Sequence, residues 1–453
     1  MHRVEEETEP LEVEVPSRYA EMAAGAALPA EWDYAWWESL GDEALNHLVE
    51  TGLTHNFGLR QSMARIRQAT ALARQAGARL YPSLDLDAGY AREWSDRNGG
   101  EGARDSQETA DLHFPLRWEL DLWGRLSSLE RAEDLSAQAT VEDWLAARLL
   151  LSATIAEVYF EMQEQRSQLD VLHEQIDTNR TLLQLTSLRF GQGQSSIVDV
   201  LQQQQQLEAT EARIPQTEAR VGALAYSLEV LLGRAPAGDL PVAAGGLPRP
   251  SPLPAVGVPA QLLTRRPDLR AAQKRVLALD YDVGVAVAEQ FPTLVLGGSV
   301  GWRGDPGFGD PVATAFASLA GPLLDAGARG SEVAFRAARL REALLGYSAR
   351  YLSALRDVEA ALLEERKGQE HLALVQQQLA TAQRLLTEAR NRFSQGLTDY
   401  LPVFTSLTIV QDLERDVVSA RKEVLVSRVA LHRALGGPMP APDATADWAL
   451  ANE

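Results

Sequence analysis

Residues 297-GGSVG-301 fit the G-x-S-x-G pattern that lifts a nucleophilic serine onto a sharp strand-to-helix turn. That chemistry needs a helix directly after the serine, whereas Trp302-Arg303-Gly304-Asp305-Pro306 reads as a turn. Arg303-Gly304-Asp305 is an RGD tripeptide in a charged loop, a coincidence of composition. The seven histidines show no paired metal spacing, and His173-Glu174 has no second histidine four residues on. The chain contains no cysteine, so it has neither a disulfide framework nor a thiolate metal or redox centre. No catalytic residue, metal or cofactor is expected. A formal net charge of −20 argues against nucleic-acid binding through a basic surface.

The elements that would position any site come in two copies. The stretch 189-RFGQGQSSIVDVL-201 matches 392-RFSQGLTDYLPVF-404, and the register holds at an offset of 203 residues through Leu232-Gly233 and Leu435-Gly436. Upstream, 80-LYPSL-84 matches 290-QFPTL-294, and 120-LDLWGR-125 matches 324-LDAGAR-329. The Pro/Gly-rich stretch between the halves reads as irregular linker.

In each half a long segment carries apolar residues every seven positions. These are Ile155, Met162, Leu169, Ile176, Leu183 and Phe190, then Val358, Leu372, Leu379, Leu386 and Phe393, with Glu365 breaking the second row. After each glycine-containing turn the spacing resumes at Val200, Leu207, Ile214, Val221 and Leu228, and at Val403, Val410, Val417, Val424 and Leu431. Heptads predict supercoiled helices packed side by side. The outgoing segments lack proline for some 65 residues, which predicts single helices about 100 Å long. Gln202 to Gln206 sits inside this pattern and is read as helix surface.

The second periodicity is two. Leu112, Phe114, Leu116, Trp118 and Leu120 share one face of a strand, opposite His113, Arg117 and Glu119. Leu84 to Trp94 and Leu294 to Trp302 alternate likewise, and a fourth strand near 312–324 is weaker. One hairpin per half follows, joined through turn-rich 95–108 and 303–311. A greasy face opposite a charged face suits a transmembrane β-barrel wall. It also suits a soluble sandwich, but two isolated hairpins provide too few strands for one. Four strands cannot close a barrel, and open edges are not tolerated in lipid, so several chains must pool their hairpins. No apolar run reaches the roughly 18 residues of a membrane-spanning helix. The first residues, MHRVEEETEP, lack the features of a signal peptide, as expected of a cytoplasmic chain or of a mature form whose export signal is gone.

The tandem halves, YPSL and FPTL entering strands, WELDLWGR leading into a helix, and RFGQG and RFSQG at helix-to-helix turns resemble the TolC-like outer-membrane factors. The resemblance covers nearly the whole chain and implies the fold: mainly α with membrane β, a long α-helical barrel continuous with a transmembrane β-barrel. It implies a homotrimer with four strands per chain, in the bacterial outer membrane and spanning into the periplasm. The implied partners are a periplasmic adaptor (membrane fusion) protein, an inner-membrane transporter of the RND type and outer-membrane lipid. Many relatives carry an N-terminal lipidated cysteine, which this chain lacks. The implied function is a passive exit duct for drugs or other small molecules, with no enzymatic chemistry. The competing reading is a soluble coiled-coil scaffold.

On this resemblance the turns at Gly193 and Gly396 lie at the periplasmic end, where Arg189, Phe190, Arg392 and Phe393 contact the adaptor. Glycine there equally suits a helix C-cap. Asp199, Asp399, Tyr400 and Leu401 follow as gate candidates. One carboxylate per chain becomes a ring in a trimer, a device for cation preference, and Leu401 supplies a constriction. Several relatives place aspartate where Thr405 stands, so their acidic gate does not transfer to this position. Leu112, Phe114, Leu116, Trp118 and Leu120 would face lipid. Trp32, Trp36 and Trp37 would anchor the N-terminal segment.

The expected organisation is an N-terminal extended segment (1–41) and a first repeat (42–232) with its hairpin about 81–123 and helical hairpin about 124–232. An equatorial linker (233–258) leads to a second repeat (259–436), with a hairpin about 291–325, a helical hairpin about 327–435 and a tail (437–453).

Overall fold

A computed structural model describes residues 13–21, 35–96, 104–238, 246–248, 253, 256–304 and 309–437. Trp32, Asp305 and the tip of each hairpin loop lie outside the described residues, as do most of the N-terminal segment and the tail. The first half runs α1 (Glu43–His55), α2 (Phe57–Ala78), β1 (Ser83–Leu84), β2 (Asp87–Asp96), β3 (Arg104–Leu120), α3 (Arg125–Gly191), α4 (Ile197–Glu211) and α5 (Arg213–Leu231). The second runs α6 (Leu262–Arg265), α7 (Pro267–Ala288), β4 (Thr293–Gly304), β5 (Asp310–Ala320), α8 (Ala328–Ser394) and α9 (Leu401–Ala434). Both outgoing helices, α3 and α8, have 67 residues, the length their proline-free heptads predict.

The returning arms differ from expectation in one half. Where the heptads imply an unbroken helix, the first return divides at Ala212 into α4 and α5. Pro215 lacks the amide that would reach back to Glu211, and its ring crowds that carbonyl. The heptad row there is displaced too. Val200, Leu207 and Ile214 are only half-buried, while Gln203, Thr210 and Thr217 fill the buried positions three residues later.

The chain divides into two compact units. One contains the sheet, α2 from Ala64, α7 from Asp268, and the first parts of α3 and α8. Its helices pack on small and branched residues such as Leu126, Ala139, Ala271, Val276 and Val283. An ion-pair ladder joins α3 to α7: Arg270 (2.7 Å) and Lys274 (3.5 Å) reach Glu142, and Arg275 pairs with Asp143. In the sheet β3 pairs β4 and β4 pairs β5, all antiparallel. β1 and β2 both lie along β3 on its other side, one ribbon interrupted at Asp85 and Leu86.

The other unit holds α1, most of the remaining length of α3 and α8, and α4, α5 and α9. Trp36 and Trp37 are buried in it, as expected of anchors; Trp36 donates to Ser152 Oγ at 3.1 Å and stacks beside His432. Tyr159 donates to Asp42 at 2.7 Å. A second core runs through Leu182, Val375, Leu386, Phe393, Tyr400, Val403, Leu407 and Val410.

Candidate functional site

The two helix-to-helix turns are built alike. α3 ends with Gly193 at φ +71°, its amide donating to Phe190 O (2.9 Å) while Gln194 N donates to Arg189 O (2.8 Å). α8 ends with Gly396 at φ +72°, its amide donating to Phe393 O (3.0 Å) while Leu397 N donates to Arg392 O (2.9 Å). This double hydrogen bond satisfies the last carbonyls and requires a left-handed residue, hence glycine. Arg189 spans the two turns: its guanidinium lies 4.2 Å from the Phe393 ring centroid and donates to Phe393 O at 3.2 Å.

Beyond the turns the candidates separate. Asp199 closes a capping box at the start of α4, accepting from Ser195 Oγ (2.8 Å) and Ser196 N (2.9 Å). Its carboxylate is thereby committed to the helix end. Asp399 is exposed and, among the described residues, has no hydrogen-bond or ion-pair partner. Tyr400, grouped with the gate on sequence, instead turns into the core. It is 1% exposed, packs edge-to-face on Phe393 at 5.4 Å and donates to Gln203 Oε1 at 2.6 Å. Its burial pushes the phenol well above its ordinary range. Phe393 is buried as well, while Phe190 is exposed, so only one of the paired aromatics is free for a partner. Leu401 and Thr405 are exposed on successive turns of α9, with Thr405 Oγ1 returning a hydrogen bond to Leu401 O. Arg392 is exposed.

The buried polar cluster behind these turns escaped the heptad reading, which put Gln203 on the surface. Gln203 and Asn179 are fully buried. Gln203 donates to Asn179 Oδ1 (3.3 Å), Gln411 donates to the same atom (3.0 Å), and Asn179 donates to Thr210 Oγ1 (3.1 Å). Gln206 closes the cluster onto Gln411 Oε1 at 2.8 Å. A satisfied network of this kind fixes α4 and α9 in register on α3. The spacing of Gln203, Thr210 and Thr217 was its only signal in the sequence. A cleft of about 280 Å³ opens beside it, lined by Glu174, Leu386, Arg390, Leu407 and Glu414.

The sheet keeps the predicted sidedness. Registered pairs place Leu112, Phe114, Leu116, Trp118 and Leu120 beside Trp302, Val300, Gly298, Leu296 and Leu294 on one face. Phe114, Leu116 and Trp118 are exposed, and Leu112 and Leu120 are half-buried. The other face carries Asp111, His113, Arg117 and Glu119, but also Val295 and Phe316, so it is less uniformly polar than β3 alone suggests. The G-x-S-x-G serine, Ser299, lies mid-strand and hydrogen-bonds Thr314 Oγ1 at 2.8 Å. The flanking glycines exist for close approach: a Cβ on Gly297 would sit 2.3 Å from Phe316, and one on Gly301 2.3 Å from His113 Nδ1.

The family model described as outer membrane efflux protein matches residues 48–234 and 258–437. The chain belongs to the outer membrane efflux protein family. It is similar to the pyoverdine export outer membrane protein OpmQ of Pseudomonas aeruginosa, 28% identical over 444 residues that cover 92% of this chain and 93% of that protein. It is also similar to the cation efflux system protein CusC of Escherichia coli O6:H1, 24% identical over 445 residues covering 93% of each. Among solved structures, the outer-membrane channel OprN superposes with a TM-score of 0.87 at 27% identity, covering 95% of this chain and 98% of that one. A CusC structure at 22% identity, TM-score 0.85, covers 94% and 97% and shares the fold. This efflux protein is therefore an outer-membrane channel, the exit duct of a tripartite pump, which sets aside the scaffold reading. Membership in the family implies an adaptor and an inner-membrane transporter as partners.

Proposed function

We propose that three copies close their sheets into one barrel and pass small molecules delivered by an RND-type transporter. The observation that carries this reading is the sheet's pair of free edges. β5 forms one edge and runs toward the helices, while the β1–β2 ribbon forms the other and runs away from them. The two edges are thus antiparallel when one copy meets the next, as an all-antiparallel barrel requires. The exposed Phe114, Leu116 and Trp118 then face lipid, and Arg117 and Glu119 face water. Two homologous halves of one chain arise by tandem duplication in this reading, consistent with turns of the same geometry 203 residues apart. At the helical turns, Phe190, Arg392, Gly193 and Gly396 meet the adaptor, and Leu401 forms an apolar constriction beside Thr405, ringed by Asp399.

The test is Leu116→Arg, expressed behind an export signal. An arginine at mid-bilayer on the lipid face of a barrel costs about 2–4 kcal/mol, and the expected result is loss of the detergent-extracted trimer from outer membranes. Normal insertion and normal trimer yield would remove the wall from this face.

A further inference from the structure

We infer that each seam between copies carries, at its periplasmic base, a notch for the phosphate headgroup of an anionic phospholipid. This rests on the edge closure proposed above. Residues 56–84 contain five arginines (Arg60, Arg65, Arg67, Arg74 and Arg79) and no acid, within a chain whose net charge is −20. The last of them, Arg79, stands in the turn between α2 and β1. It is exposed, and its guanidinium has no hydrogen-bond or ion-pair partner among the described residues. Tyr81, two residues on, is 72% exposed.

At the opposite edge, Leu323 and Leu324 follow β5 and are fully exposed, at 103% and 93%. Arg329 begins the next helix, and its Nη1 donates to a carbonyl, Glu289 O, rather than to a carboxylate. Leu84 registers with Leu116, and Leu319, through Leu294, with Leu120, four residues nearer the helices, while Trp118 Nε1 donates to Leu80 O at 3.0 Å and brings the turn before β1 back toward that level. Joining the two edges therefore brings Leu323, Leu324 and Arg329 of one copy beside Arg79 and Tyr81 of the next.

Of the acids beside Arg329, Glu332 pairs with Arg336 at 2.6 Å and Asp325 serves the backbone. Asp325 accepts from the amides of Gly327 (3.0 Å) and Arg329 (3.3 Å). Glu289 is exposed, and Arg329 takes its carbonyl rather than its carboxylate. Asp85 follows Leu84 in the ribbon and so falls on the opposite, polar side. The groups left for a ligand are the Arg79 guanidinium, the Arg329 nitrogens not used on Glu289 O and the Tyr81 phenol, donors that suit phosphate oxygens. Two leucines continue the apolar wall for the acyl chains. A zwitterionic headgroup would meet the same arginines with its own cation in the way.

The experiment is native mass spectrometry of the detergent-solubilised trimer, titrated with phosphatidylglycerol or with phosphatidylcholine of the same chains. Phosphatidylglycerol should saturate at three per trimer and bind several-fold more tightly than phosphatidylcholine. Arg79→Gln should weaken phosphatidylglycerol alone by about fivefold, the worth of one basic residue at an anionic surface. The pair Leu323→Ser and Leu324→Ser should weaken both lipids alike. Equal affinity for the two lipids, or a preference untouched by Arg79→Gln, overturns the notch. So does an Arg79→Gln protein that falls to monomers with its lipid preference intact, because the arginine would then be a contact between copies. An unvaried chain that never forms a membrane-extracted trimer overturns the edge closure itself, and the notch with it.

Discussion

The turn after α3 and the turn after α8 share a sequence pattern and a backbone geometry, yet the side chains flanking them are opposite in character. Phe190 is exposed and its counterpart Phe393 is buried; Ile197 is exposed and its counterpart Tyr400 is buried. Deeper along the same helices the roles reverse in polarity. Met162 and Ala225 of the first half are both buried and apolar, and the positions 203 residues on hold Glu365 and Arg428, a fully buried ion pair. The backbone plan of the two turns is thus shared, while each half solves burial with its own side chains. Local chemistry, such as glycine at a helix end, recurs in both halves because it depends on its own few residues. Packing partners diverge because they depend on the neighbour.

The largest expected effect tests that ion pair. Arg428→Ala alone should destabilise by about 3–5 kcal/mol, because it strands a buried carboxylate. Glu365→Met combined with Arg428→Ala, which imports the first half's solution, should recover most of that loss; chemical denaturation of the detergent-solubilised protein decides. A double variant as unstable as the single one would mean the two halves are not interchangeable there.

Phe393→Ala should cost about 3–5 kcal/mol as a large-to-small change in a core. Phe190→Ala, on the exposed partner, should stay within about 0.5 kcal/mol. Equal losses would erase the asymmetry of the turns.

Next comes a pH effect confined to the second half. Burial, reinforced by the nearby Arg428, lowers His432 from 6.5 to about 4, whereas its counterpart, Glu229, accepts the amides of Ala237 and Gly238. The folded protein binds fewer protons than the unfolded chain between those values. The stability that neutral His432 contributes is therefore intact above pH 6.5 and is lost as pH falls toward 4, by up to about 3 kcal/mol. His432→Gln should flatten that slope in melting curves recorded across this range, and an unchanged slope would assign it elsewhere.

The smallest loss at a buried side chain is Tyr400→Phe, which removes one hydrogen bond to Gln203 and should cost about 1 kcal/mol. Its informative readout is channel current in planar bilayers. Tyr400 faces the core, so current should be unchanged, while Leu401→Ala should raise it.

Legibility in the sequence divides along the same line. The paired RFxQG turns, the 67-residue helices and the two-faced strands were legible, because glycine, uninterrupted heptads and strict alternation act over a few residues. Pro215 announced the break between α4 and α5, but the apolar spacing spoke louder across it. Gln203 looked like surface because glutamine usually is, and only Asn179 on α3 and Tyr400 just before α9 make its burial tolerable. Tyr400 sits next to Asp399 and Leu401 in the chain, and no spacing rule distinguishes the one that turns inward. Glu365 was visible as a gap in its heptad row, with nothing to say that the answering charge lay 63 residues away on Arg428.

The sheet's two edges are unlike, a continuous β5 on one side and a ribbon interrupted at Asp85 on the other. Contact between unlike surfaces is head-to-tail, so a pair of copies satisfies one edge of each and leaves the other two bare. On the proposed edge closure, every incomplete assembly is as adhesive as a single copy, and only ring closure ends growth. On that closure a half-built duct would have no stable resting form, and insertion into the bilayer and counting to the final number of copies would become one event.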